Sequence, residues 1–342
     1  MRKYLTLILW LFLLVSCSQT PRRYVQITGY AQGGTYSVKL NLAGVRVSAD
    51  EIRDSVDALI LQVDTTLSGY NKKSLLSRFN AGERIPATPM FVEMYRQAYA
   101  LWERSEGALD FAAGPLFDAW GFGFKNSSFP SDEEVSRLRS SCGMSLLPAS
   151  LPVVDGYLDP AAVNCPRLNY NAIAQGYTSD IIAAYLYRIG VKDMLVDIGE
   201  IWCDGVNPQG KSWTVGVDRP VDRPDASEAP DLDGIWSSEG RPAGIVTSGN
   251  YRKFYIRDGR KYAHTINPAT GYPVNHNLLS ATVVSARSAM ESDAVATWCM
   301  VVGLEKAKAI LEADPCLEGY LIFEDASGSM KEWASPGFTL RD

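Results

Sequence analysis

The sequence predicts an α+β protein in which helices and mainly antiparallel strands are segregated along the chain. Three observations carry this reading. Stretches with apolar residues at helical spacing lie at 48–67, 88–105, 172–189 and 290–313. Short β-rich runs crowd the stretch between 194 and 286, separated by turn residues rather than by helices. The segment 218–242, dense in Pro, Asp and Ser, has strand-like runs on both sides, which makes it a surface insertion and not a domain linker.

Element by element, Tyr24 to Leu40 alternates loosely and carries Gly33-Gly34-Thr35-Tyr36, the pattern of strands joined by a glycine turn. Ser48 to Leu67 sets Ile52, Val56, Leu59, Ile60 and Val63 on one helical face, with Ser48 or Asp50 as the cap. Thr88 to Ser105 reads as a second amphipathic helix, and Asp110 to Phe124, rich in glycine and aromatics, as a shaped loop. Asp132 to Arg139 is a short helix with an acidic start, and Leu151 to Leu158 a hairpin. Ala172 to Ile189 is a helix stopped by Gly190. Short strands follow at Met194 to Ile198, Trp213 to Val217, Gly244 to Thr247, Lys253 to Ile256 and Ser280 to Ala286. Met290 to Ala313 reads as one long helix containing Gly303, and Leu317 to Phe323 opens a closing hairpin. There is no internal repeat.

The N-terminus reads as a leader. Arg2 and Lys3 precede an apolar run from Tyr4 to Val15, shorter than the roughly 20 residues a membrane-spanning helix needs. A charged start, a short apolar core and a small residue at its end make an export signal. Leu14-Val15-Ser16-Cys17 resembles the bacterial lipoprotein cleavage box. That resemblance implies removal of residues 1–16, diacylation of Cys17 and a polar tether over 17–23, with 24–342 as the functional unit. Several acyl chains on one residue suffice for stable anchoring. The expected location is the bacterial cell envelope, facing the periplasm, with Ser18 leaning towards the outer membrane.

Composition narrows the rest. A net charge of −6 and a pI near 5.2 argue against a nucleic-acid partner. Without Cys17, five of the six cysteines remain, an odd number and none spaced C-x-x-C, so scattered small hydrophobes is the favoured reading. Only two histidines are present, which excludes a multi-histidine metal centre.

Asp293 and Thr297 are four apart on a predicted helix and share a face. A carboxylate beside a hydroxyl is an oxygen pair of the kind Mg²⁺ takes, completed by phosphate oxygens and water. Alone, such a pair is usually a solvated face or a local hydrogen bond. Its surroundings extend the argument. Ser292-Asp293-Ala294-Val295-Ala296-Thr297 resembles the "A-D-A-L-A-T" signature of the ApbE-type flavin transferases. Gly34-Thr35-Tyr36, Leu67-Ser68-Gly69-Tyr70 with Ser77-Arg78-Phe79-Asn80, and Asp110-Phe111 with Gly114-Pro115-Leu116 and Trp120-Gly121-Phe122-Gly123 resemble the family's earlier signatures, in order. So do Asn169 to Tyr177 with Asp180, Val196 to Glu200, Thr247 to Tyr251, and His264-Thr265-Ile266-Asn267-Pro268-Ala269-Thr270-Gly271.

The resemblance implies a T-fold-like architecture of two lobes around an FAD cleft. It implies a Mg²⁺-dependent enzyme that cleaves FAD, releases AMP and esterifies FMN to a threonine of an exported flavoprotein carrying a Ser/Asp-Gly-Ala/Ser-Thr motif. Mg²⁺ would be held by Asp293, Thr297 and the carbonyl of Ala172, which lies near a helix start where free N–H groups favour anions. FAD would meet Gly33, Thr35, Tyr70, Trp120, Gly121, Phe122, Asn169, Gln175, Gly199, His264 and Ile266, with Tyr70 and Trp120 as candidate stacking rings. Equally, the glycines supply positive φ in turns, and core packing is the commoner fate of an aromatic. His264 is the candidate general base, because histidine titrates near neutral pH. His276 matches no motif and reads as a surface loop residue. Gln175, Asn169, Asn250 and Asn267 stand where the family commonly carries charged residues; the change at Gln175 puts contacts to the adenosine half in question, while Asn169 can still bond ribose or base. An FAD pyrophosphatase and a non-enzymatic flavin-binding lipoprotein remain as alternatives.

Overall fold

The computed structural model describes residues 22–123, 129–164, 167–220, 231–250, 254–257 and 260–341; the leader expected over residues 1–16 and Cys17 lie outside them. The chain begins with a hairpin, β1 (Tyr24–Ala31) and β2 (Gly34–Asn41). A mostly helical stretch follows: α1 (Ala49–Leu67), α2 (Leu75–Asn80), the strand β3 (Ile85–Pro86), α3 (Pro89–Arg104), α4 (Gly114–Ala119) and α5 (Asp132–Ser141), then the small strands β4 (Val153–Val154) and β5 (Tyr157–Leu158). Helix α6 (Ala174–Arg188) leads into β6 (Met194–Asp197), β7 (Ile201–Asp204), β8 (Thr214–Asp218), β9 (Leu232–Ser237) and β10 (Ala243–Gly249). Four minor strands come next, β11 (Phe254–Arg257), β12 (Arg260–Ala263), β13 (Ile266–Asn267) and β14 (Tyr272–Pro273). The chain closes with β15 (Leu278–Ser285), α7 (Ala289–Val302), α8 (Leu304–Ala313), β16 (Leu317–Glu324), β17 (Met330–Ala334) and β18 (Leu340–Arg341).

Eight strands form one sheet in the order β1-β2-β6-β7-β10-β15-β16-β17, and every neighbouring pair is antiparallel. Successive residues point to opposite faces of a strand, and the two faces have separate partners. Val38, Leu40, Met194 and Val196 pack with Ile52 and Val56 of α1 and Ile182 and Leu186 of α6. Val246 and Val283 continue that face against Val295, Cys299 and Met300 of α7 and Leu311 of α8. Their neighbours Leu195, Ile245, Val284 and Ile322 face the other way, onto Trp213, Trp236 and Phe338. That side is covered by a three-stranded sheet in the order β18-β9-β8. A second core, built around Phe79, Phe91, Met94, Phe111 and Tyr170, holds the helical lobe together.

Local chemistry sets the helix ends. Ser48 and Glu51 form a reciprocal capping box at α1, and Thr88 caps α3 with Pro89 following. Three expectations need correction. The long helix of 290–313 is two helices: Gly303 has φ +80 and ψ 176, a conformation open essentially to glycine alone. The glycine-rich stretch at 110–124 contains α4 rather than only loop. The insertion at 218–242 carries β9, whose Trp236 is 1% exposed in the sheet-on-sheet core; its residues 221–230 lie outside those described. Among the described residues Cys142, Cys203, Cys299 and Cys316 are free thiols. No described helix is long and apolar enough to cross a membrane.

Candidate functional site

Helices α6 and α7 meet at the candidate donors, Asp293 of α7 being bonded to the first turn of α6. Ala172 sits in the turn that leads into α6, and Asp293 and Thr297 lie one turn apart on α7. Asp293 is 5% exposed, and its Oδ2 accepts a hydrogen bond from the Gly176 amide at 3.1 Å. That amide belongs to the first turn of α6, whose N-cap, Ile173, has no side chain able to cap it. Gly176 makes the approach possible: a Cβ there would stand 2.5 Å from the Ala289 carbonyl oxygen and 2.7 Å from the Met290 Cα.

The electrostatics follow from burial. Removal from water pushes the Asp293 carboxyl well above the ordinary carboxylate range; the Gly176 N–H pulls the other way, and nearby Asp180 pushes it further up. Asp180 itself is lifted by burial to about 6, against the pull of two backbone N–H bonds. No group of three or more His, Cys, Asp or Glu among the described residues is able to hold a metal. A cation here therefore depends on the carboxylate, the Thr297 hydroxyl, backbone carbonyl and oxygens brought by a substrate. That set suits Mg²⁺, which favours one or two carboxylates with phosphate oxygens and water. A cation also supplies what a buried acidic pair lacks.

The other predicted residues form two groups around this corner. In the first, Gln175 donates from Nε2 to the Ile198 carbonyl at 3.1 Å, and a Cβ on Gly199 would meet the same nitrogen at 3.0 Å. Asn171 donates to the exposed Tyr70 hydroxyl at 3.1 Å. Asn169 Oδ1 accepts from the Asn171 amide at 3.0 Å, an Asx turn of the kind Asp also forms. The hairpin tip with Gly33 and Thr35 is exposed and is tied to α6 by Gln32, whose Nε2 donates to the Thr178 hydroxyl at 2.7 Å. In the second group, Phe122 stacks on Tyr255 at 4.8 Å and meets the His264 ring edge-on at 6.4 Å. The Gly121 carbonyl accepts from the Tyr255 hydroxyl at 3.2 Å. Strand β13, which follows His264, comes against α7.

Some expectations do not survive. Trp120 does not offer its ring for stacking: it is 5% exposed, lies against Tyr262, Tyr272 and Phe129, and donates from Nε1 to the Gly271 carbonyl at 2.8 Å. The Ile266 side chain is buried in the same cluster, so any cofactor contact there falls to its backbone. Gly33, Gly121 and Gly199 all have positive φ, at +85, +78 and +100, so turn geometry alone requires them. His276 is not a loop-surface residue; its Nε2 lies 2.8 Å from the Met300 carbonyl at the end of α7. The sequence reading assigned no role to Asp180, Gly176, Asn171 or Gln32. Asp180, Gly176 and Asn171 lay within a motif, which was their signal; Gln32 carried none.

A cavity of about 380 Å³ opens elsewhere, lined by Tyr177, Asp180, Ala184, Tyr187, Trp202 and Arg287 among others. At 100° per residue its α6 residues face away from Gln175, and none of the predicted cofactor residues lines it.

Fold and corner together define a class: α+β proteins in which two helices meet near their first turns beside an antiparallel sheet, a buried carboxylate of one bonded to the backbone of the other. The chain belongs to the ApbE family, which it matches over residues 32–321. It is 32% identical to an FAD:protein FMN transferase of Vibrio cholerae over 99% of this chain and 98% of that protein. It is 30% identical to an FAD:protein FMN transferase of Escherichia coli K12 over 95% and 93% of the two chains. Among solved structures it resembles the flavin transferase ApbE of Vibrio cholerae, with a TM-score of 0.76 and 30% identity over 92% of this chain and 98% of the other. The apo flavinyl transferase ApbE of Pseudomonas stutzeri matches with the same TM-score and identity, covering 92% and 95%.

Proposed function

We propose that this protein is a Mg²⁺-dependent FAD:protein FMN transferase. The observation that carries the reading is Asp293, a buried carboxylate one turn from Thr297, anchored by a single oxygen to the first turn of α6. Asp293, Thr297 and the Ala172 carbonyl would hold the ion, which when bound neutralises charge on the FAD diphosphate and clamps its oxygens. The chain's own residues supply the rest. Tyr70 is an exposed ring above the turn that carries Ala172, suited to cover the flavin or the adenine. Gln175, Asn169 and the Gly199 turn offer amide and backbone groups for the adenosine half. His264 takes the proton from the acceptor threonine hydroxyl. The threonine oxygen bonds to the flavin-side phosphorus, the bridging P–O bond breaks, and AMP leaves with that oxygen.

The same reading covers location. Residues 1–16 would direct export and Cys17 would carry the lipid, leaving 24–342 on a short tether within reach of an exported acceptor with a Ser/Asp-Gly-Ala/Ser-Thr motif. The test is to incubate the purified full chain with FAD, Mg²⁺ and such an acceptor, reading AMP and intact acceptor mass. Transfer gives one FMN phosphoester per acceptor, and a chelator abolishes it. AMP without a mass gain leaves an FAD pyrophosphatase; FAD bound with neither product leaves a flavin-binding lipoprotein. A Cys17→Ser chain that still partitions with membranes would remove the anchor.

A further inference from the structure

The alignment of α6 with α7 decides whether Ala172, Asp293 and Thr297 can serve one ion, because the carbonyl belongs to one helix start and the side chains to the other helix. Two carboxylates cross between these helices. Asp293 of α7 accepts from the Gly176 amide in the first turn of α6. Asp180 of α6 accepts from the first two amides of α7, Ala289 at 2.7 Å and Met290 at 2.9 Å. The α7 cap residue, Ser288, then accepts from the Glu291 amide at 3.0 Å. Each helix thus supplies the other with the acceptor that its own N-terminal amides lack. The two sets of bonds lie about a turn apart on each helix, Gly176 and Asp180 on α6 and Ala289–Met290 and Asp293 on α7, so sliding of either helix breaks at least one.

We infer that Asp180 is a positioning residue for the metal corner, holding α7 in the register that keeps Asp293 and Thr297 facing the Ala172 turn. This rests on the metal reading of Asp293 given above. Both Asp180 oxygens are taken up by the first α7 amides, so it acts through the helix it caps. A carboxylate suits the task because two adjacent N–H groups need two acceptor oxygens. Asparagine offers one, and sets its amide nitrogen against the second N–H.

The test is a titration of the full-length protein with Mn²⁺, following the free-ion electron paramagnetic resonance signal, with unfolding temperature recorded for each variant. Asp180→Ala is expected to weaken Mn²⁺ binding at least tenfold, and Asp180→Asn by an intermediate factor. Leu186→Ala, a fully buried α6 core residue, is the control for lost stability: it should lower the unfolding temperature and keep Mn²⁺ affinity within twofold. Unchanged affinity in folded Asp180 variants, or an equal loss in Leu186→Ala, would overturn the inference. If Asp180→Ala does not fold, the isosteric Asp180→Asn decides alone. Failure of the underlying reading looks different: wild type then binds no Mn²⁺, or Asp293→Ala binds it as wild type does.

Discussion

His276 is held neutral by its surroundings. Burial pushes its pKa below 6.5, although the Met300 carbonyl pulls the other way. One ring nitrogen meets that carbonyl while the other accepts the Leu278 amide at 3.3 Å, so protonation loses the second bond. A depressed folded-state pKa means this contribution is complete above 6.5 and is lost as pH falls through the folded value. Urea midpoints of wild type and His276→Gln between pH 8 and pH 5 should therefore converge on acidification. A gap that stays constant would show the ring to be pH-silent. His264 calls for a kinetic prediction. As the proposed base it contributes to a step in which the hydroxyl proton must leave, so His264→Ala should lower kcat for FMN transfer by about 10²–10⁴ with KM little changed. A rise in KM at unaltered kcat would instead make it a binding residue.

At the scale of elements, the turn between α7 and α8 carries strain that only glycine relieves. A Cβ on Gly303 would sit 3.1 Å from the His276 ring, at a φ of +80. Gly303→Ala should cost about 1–3 kcal/mol, read as a lower urea midpoint with an unchanged m-value. From sequence, Gly303 reads as an interior glycine because helix-forming residues flank it on both sides; the break is a backbone angle, and no side-chain pattern records one. Helix α4 is hidden for the opposite reason, since glycine and aromatic residues around a short helix mimic a loop. Strand β9 is masked by its Pro- and Asp-rich neighbours, while its burial depends on a sheet formed with the C-terminal β18. What local chemistry dictates is legible: the helix starting at Ser48, the one starting at Thr88, the glycine turn at 33–34 and the loose alternation of 24–40. The proposed metal corner is legible in part. Asp293 and Thr297 share a helical face by spacing alone, whereas the bond from Gly176 to Asp293 joins residues 117 apart in sequence. The displacement of Trp120 from cofactor ring to core ring likewise needs Tyr262 and Tyr272, which lie far along the chain.

For the molecule as a whole, α7 is the shared wall. Ala294 belongs to the core of the helical lobe, while Val295, Ala296 and Cys299 belong to the core under the sheet. Its N-terminal end is pinned again by Glu291, which pairs with Arg104 of α3 at 2.5 Å and with Arg287 at 2.6 Å; Arg287 in turn reaches Asp314. A helix packed on both sides cannot loosen without exposing two cores, so the folded unit should unfold in one transition, and a ligand that grips α7 should move that transition as a whole. A ligand that binds only the native state adds about 2.7 kcal/mol at a hundredfold excess over its Kd. FAD with Mg²⁺ should therefore raise the single unfolding temperature, and a chelator should remove the part of the shift due to the metal. Asp293→Ala should abolish that chelator-sensitive part even where FAD still binds. Two resolved transitions, only one of which moves with ligand, would mean that the lobes are independent and that α7 does not couple them.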